Sequence, residues 1–359
     1  MSSDQPIEFE HVIIDAQGPL NPHVKTVGDV DGDSHPDIVV ASSKAGPLVW
    51  YRWPKWERHV IAASGSWSCE AKLADMDGDG DLDLVISEWY GLNRLEWYEN
   101  PLPDGDPAAG LWRRHIIGPP RAHDIEIGDI DGDGQIEMVT RDQGKFGDKV
   151  LVWKRGESGE WAQRAIPCPA GEGLALGPLA DPGRLAIVIG GRWYEAPADI
   201  MRDPWAEHLF ADWPADATVF LADVNGDGRM DVVLARSEGP HRLSWFETPA
   251  DPRCGDWTEH LVDNSVDFAH SLVVCDMNND GWPDIVTAEM HQSTRKRIMV
   301  YLNEGAGIQW RRHVIAATGS HNMCVVDYEG AAPPDIVRAN WSGDYQPIEM
   351  WRQRPDRCQ

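Results

Sequence analysis

An acidic phrase of the form aspartate, any residue, aspartate, glycine, aspartate returns along this chain at a nearly regular interval. Full copies read DVDGDSHPD from Asp29, DMDGDGDLD from Asp75, DIDGDGQIE from Asp129, DVNGDGRMD from Asp223 and DMNNDGWPD from Asp276; two worn copies, GPLADPGRLA around Pro178 and DYEGAAPPD from Asp327, complete seven. The spacings of 46, 54, 49, 45, 53 and 51 residues lie where internal repeats mean solenoids, propellers or arrays.

The flanking text selects among these. An apolar run such as HVKTVGDV enters each loop, and a β-branched run such as PDIVVAS, DLVISE or DVVLAR leaves it. An aromatic run (PLVWYR, RLEWYEN, KVLVWKR) follows, then a fourth of the form WERHVI, WRRHII, WTEHLV. Four strands per unit in seven units predict an all-β, seven-bladed β-propeller with antiparallel blades, one domain over 1–359. Its loops fall near 29–37, 75–83, 129–137, 178–186, 223–231, 276–284 and 327–335. The opening EFEHVII matches a fourth strand, and the chain ends soon after the third strand QPIEMWR. The N-terminal strand is therefore expected to close the last blade and remove the open edge.

No stretch is apolar enough to span a membrane. The start, MSSDQPIEFE, lacks the positive and apolar segments of a secretory signal, so cytoplasmic residence is the expectation. The six cysteines show no CxxC pairing and read as reduced thiols, Cys69 being the one to watch. A formal charge of -27 argues against nucleic acid as a partner.

Much of that charge sits in the acidic loops. Hard oxygen ligands at alternating positions with glycine at the turn suit calcium, in a structural role. The ligands would be Asp29, Asp31, Asp33 and Asp37; Asp75, Asp77, Asp79 and Asp83; Asp129, Asp131, Asp133 and Glu137; Asp223, Asn225, Asp227 and Asp231; and Asp276, Asn278, Asp280 and Asp284. With PDIV or DLVI after them, these loops resemble the FG-GAP/VCBS repeats of integrin α-subunit propellers and of many bacterial and fungal proteins. The resemblance spans nearly the whole chain and implies the propeller fold, which serves adhesion, sugar binding and catalysis alike.

Function is then sought on the face opposite the loops. Six residues before the first loop position of each repeat stand His23, Cys69, His123, Glu172, Ala217, His270 and His321, one ring around the channel mouth. The plain alternative is a polar plug in a water-filled channel. Convergent imidazoles with a carboxylate instead suit one divalent cation (zinc, manganese or iron) held by His270, His321, His23, His123 and Glu172, or acid–base chemistry. Five residues beyond the last loop acid stand Ser42, Glu88, Asp142, Gly191, Arg236, Glu289 and Asn340. Beside them lie Trp89, Tyr90, Arg141, Arg192, Trp193, His291 and Trp341. Aromatic faces next to charged groups suit a sugar, so Trp89, Tyr90, Arg192, Trp193, His291, Asn340 and Trp341 are the substrate-binding candidates. The catalytic candidates are His23, His123, Glu88, Glu289, Arg141 and Arg236. Tryptophans of the WERH and LVWYR strands, and the histidine of each WxxH, read as packing.

The two rings together suggest β-elimination by a metal-dependent lyase or dehydratase on a small sugar, keto-sugar, uronate or glycoside. The chain is also similar, more weakly, to the propeller domain of aldos-2-ulose dehydratase and to propeller-type polysaccharide lyases, which implies the same chemistry. A lectin-like or integrin-like binding propeller and a metal-assisted glycoside hydrolase are the alternatives.

Overall fold

Each acidic phrase closes a β-hairpin. In a computed structural model that describes residues 7–89, 91–328 and 333–354, Pro22–Gly28 runs into the first loop and Asp37–Ser42 leaves it, with Gly28 opposite Asp37. Gly46–Arg52 and Glu57–Gly65 complete a four-stranded antiparallel sheet. Six further sheets repeat the plan, led by the inner strands Trp67–Ala74, Asp124–Gly128, Ala175–Gly177, Ala217–Ala222, Ala269–Cys275 and Cys324–Val326. The N-terminal strand Phe9–Asp15 pairs with Ile348–Gln353, setting Val12 opposite Met350 and closing the seventh blade with both chain ends. The result is the seven-bladed propeller that the repeat predicts; its only helical element among the described residues is a 3-10 turn, Gly144–Phe146.

The phrase is conserved from blade to blade within this chain because its first and last acids build the turn. Asp29 Oδ1 accepts the amides of Gly32 at 2.8 Å and Asp33 at 3.1 Å, and its Oδ2 accepts that of Ser34 at 2.8 Å. Asp75, Asp129 and Asp223 repeat this pattern. Gly32 supplies the left-handed φ of 75° that the turn requires. The last acid, Asp37, accepts the Val30 amide at 3.2 Å and that of Trp53 at 2.9 Å, tying the loop to the third strand.

Seven apolar clusters hold the blades together, each drawn from two neighbouring sheets. One joins Trp50 and Val39 of the first blade to Trp67, Leu84 and Trp112 of the second; another joins Tyr51 and Ile38 to Val337 and Met350 across the closure. Burying a Trp or Leu in such an interface contributes about 1.5–3 kcal/mol. The histidine of WxxH is structural, as expected: His115 stacks on Trp97 at 4.1 Å between centroids, His208 on Trp193 at 4.2 Å and His260 on Trp245 at 4.0 Å. Their outer nitrogens meet Glu99, Glu195 and Glu247.

Candidate functional site

The inner strands reach the axis irregularly at their leading ends, and this irregularity aims the ring. Pairing skips His23 between Pro22↔Ser42 and Val24↔Ala41, skips Cys69 and Glu70 between Ser68↔Ser87 and Ala71↔Ile86, and skips His270 between Ala269↔Glu289 and Ser271↔Ala288. Such bulges leave the extra residue unpaired and turn its side chain off the sheet face. Glu172 reaches the ring differently. It forms an isolated parallel bridge with Asp216, and the glycines on either side let the fourth blade approach the fifth. A Cβ at Gly173 (φ 93°) would lie 1.5 Å from the Ala217 carbonyl oxygen.

The ring assembles into two sets. His321 stacks on His23 at 4.5 Å and on His270 at 4.3 Å, and the T-shaped His123–His270 contact at 5.3 Å continues the line. Cys69 Sγ lies 3.6 Å from His321 Nε2. Ligand atoms of His23, Cys69 and His321 all fall within 4.8 Å of one another, as do those of Cys69, His123 and His270, so the two sets share the sulfur. His270 Nε2 is 3.3 Å from one Glu172 oxygen, and His123 Nε2 is 3.8 Å from the other. His123 Nδ1 donates to Asp124 Oδ1 at 3.0 Å, and Asp124 Oδ2 accepts the Gly173 amide at 2.8 Å. All but His23 are buried.

Electrostatics separates the sets further. Burial, with the charges of the neighbouring imidazoles and Lys25, drives the His23 and His321 pKa values well below the ordinary value. Burial also opposes charge on His270 and His123, yet there it is outweighed. Glu172 holds His270 up at about 9, and Cys69, Asp124 and Glu172 hold His123 well above the usual value. Glu172 itself, despite its burial, is held far below the ordinary carboxylate range by His123 and His270. The mouth therefore pairs two neutral imidazoles and a sulfur with two cationic imidazoles clasping a carboxylate.

Two neutral imidazoles with a thiol, and a buried His23 Nδ1 without a hydrogen-bond partner, fit a borderline metal such as zinc. His123, His270 and Glu172, sequence candidates for the same ion, are engaged with one another. Cys69 was counted in the sequence ring but not among the ligands; Glu238, grouped with Glu172 and His270, was missed, as was Asn322. The Asn322 amide, on a backbone at φ 49°, donates to Cys69 Sγ at 3.1 Å and its oxygen meets His270 Nδ1 at 3.3 Å. No periodicity marks Glu238 or Asn322, because loop geometry rather than strand register delivers them.

The second ring departs from expectation. Arg141 donates to the carbonyls of Gly147, Gly173 and Pro169, bracing two loops, and Glu289 is held by Arg295, Arg297 and Ser293. Both are fully buried. Trp193 is a blade-core residue under His208, Arg192 pairs with Glu207 on an outer strand, Glu88 faces Arg94 at 3.4 Å, and Asn340 bonds the carbonyls of Thr318 and Tyr345. Trp341 meets the ring, at 4.9 Å from His23, with His291 5.3 Å beyond it; Trp89 stands 6.1 Å from His123. Arg236 lies on the fifth inner hairpin opposite Ala217. Tyr90 lies outside the described residues, as do 329–332 of the seventh loop.

The acidic loops are not equivalent either. Ligand atoms of Asp29, Asp31 and Asp33, and of Asp75, Asp77 and Asp83, cluster within 4.8 Å. In the third loop, however, Lys154 Nζ sits 2.7 Å from Asp131, 2.8 Å from Asp133 and 2.8 Å from Glu137. Arg52 and Arg229 likewise contact Asp31 and Asp227.

The chain carries FG-GAP-like repeats: the family model of that description matches residues 29–86, 75–140 and 223–287. No curated protein matches the chain. Among solved structures, a luciferin-regenerating enzyme is similar at 10% identity and a TM-score of 0.47, over 97% of this chain and 96% of that one. So distant a likeness carries nothing about chemistry.

Proposed function

We propose that this propeller of FG-GAP-like repeats is a metal-dependent carbon–oxygen lyase acting on a small keto-sugar, uronate or glycoside at the axial face. The observation that carries the reading is the division of one ring into neutral His23 and His321, beside Cys69, and a cationic His123 and His270 pair around Glu172. Groups whose environments push their protonation apart are the signature of assigned acid and base roles. His23, Cys69 and His321 would hold the cation, which when bound polarises a carbonyl or carboxylate oxygen and so acidifies the neighbouring C–H. Glu238, its pKa raised by burial and by Glu172, is the group to accept the proton from carbon. The proton on His270 Nε2, which faces Glu172 at 3.3 Å, is the one to pass to the departing oxygen. Trp341, beside His23, offers a flat face for the sugar.

Elemental analysis of the purified protein and of His321→Ala, alongside ultraviolet detection of an unsaturated product from oxidised glycosides, tests this. About one equivalent of transition metal that His321→Ala loses, together with a conjugated product, supports the lyase. Metal-free protein that binds glycans without turnover replaces it with a binding module, and hydrolysed product without unsaturation replaces it with a hydrolase.

A further inference from the structure

Beside the ring, between the second and third blades on the same face, a cleft of about 470 Å³ opens toward solvent. Its inner wall is Arg121, whose guanidinium lies 3.8 Å over Trp89 and 5.7 Å from the Phe146 ring, with Nε donating to Asp142 at 3.2 Å. A guanidinium stacked on one ring and fixed by a carboxylate is pre-organised, with its remaining N–H donors free to recognise an anion. Phe146 is 55% exposed on the 3-10 turn Gly144–Phe146. Lys145, 5.0 Å over that ring, and Lys149 line the opening and carry no ion pair among the described residues.

The charge here runs against the rest of the molecule. The chain totals -27, yet this cleft gathers Arg121, Lys145 and Lys149 against Asp142 and Asp148, and Asp142 is already committed to Arg121. Two lysines and one open edge of a guanidinium remain against the single carboxylate of Asp148, so the cleft keeps one net positive charge. A flat apolar face beside cationic groups fits a sugar ring that bears a carboxylate. Trp89 links the cleft to the catalytic side, since its other neighbour is His123 at 6.1 Å.

We infer that this cleft is a subsite for an acidic sugar residue: the uronate carboxylate meets Lys145, Lys149 and Arg121, and its ring lies on Phe146. The substrate of the axial site is then an acidic glycoside or short acidic oligosaccharide. The inference rests on the carbohydrate reading of that face, but not on elimination or on a metal.

Calorimetric titration of the full chain with trigalacturonate and with maltotriose tests it, using the wild type, Phe146→Ala and the double variant Lys145→Glu, Lys149→Glu. These exposed side chains lie outside the ring, and thermal melts confirm that the variants fold. Expected is trigalacturonate binding at least about tenfold weaker in the double variant, weaker in Phe146→Ala, and reduced by salt in the wild type. Wild-type protein that does not bind trigalacturonate, or equal affinity in all three proteins, overturns the subsite. The lyase reading is read out separately, by metal content and by unsaturated product from neutral and acidic oxidised glycosides alike, so each can fail alone.

Discussion

Cys69 and His321 lie 252 positions apart in the chain, yet their Sγ and Nε2 atoms stand 3.6 Å apart on the propeller axis. Ring closure brings the second and seventh blades to the same side of the channel, and the bulge at Cys69 turns its sulfur inward. Were a metal held there, as proposed, such a sulfur would select a softer ion than imidazole and carboxylate alone.

Cobalt(II) added to metal-free protein is therefore expected to give a thiolate charge-transfer band in the near ultraviolet. Cys69→Ser should abolish the band and weaken metal affinity roughly tenfold or more. A band that survives the substitution removes Cys69 from the ligand set.

Gly173→Ala should destabilise the protein by more than about 2 kcal/mol, because the position combines a left-handed φ with backbone contact to the fifth blade. Urea unfolding measures the loss. A change within experimental error would mean that the fourth and fifth blades need not approach so closely to place Glu172.

Calcium removal should lower the melting temperature, since a ligand bound only to the folded state stabilises it by mass action. Lys154→Met leaves Asp131, Asp133 and Glu137 without their ammonium, so the variant should depend more steeply on calcium than the wild type. Equal dependence would show that Lys154 does not stand in for a cation.

His115→Ala should cost about 0.5–1.5 kcal/mol through loss of the Trp97 stack, with turnover unchanged. A loss of activity at wild-type stability would contradict its structural assignment.

At Glu289, burial favours protonation but is outweighed by Arg297 and Arg295, so the folded-state pKa lies below the ordinary value. Its contribution is present above the unfolded-state pKa of about 4.3 and is lost as pH falls through the folded value. The melting-temperature gap between wild type and Glu289→Gln should accordingly be widest near neutrality and narrow in acid. A gap independent of pH would refute the pairing.

Repetition alone determined the architecture. Seven repeats, five with a full acidic loop and five with a WxxH strand, admit few arrangements other than a closed ring, because every blade must bury both faces against neighbours. Blade position also placed His23, Cys69, His123, Glu172, His270 and His321 around one mouth. The division of labour among them was decided only in three dimensions. Which imidazole is neutral and which is charged depends on its distance to Glu172, Asp124 or Cys69, and those groups arrive from other blades. Arg141, Glu289 and Trp193 looked equally functional in sequence. In three dimensions Arg141 and Glu289 are buried in hydrogen bonds to loops and to other side chains, and Trp193 stacks under His208. Periodicity reports which end of a blade a residue occupies; its partners there, and hence its proton, are set by contacts between strands far apart in the chain.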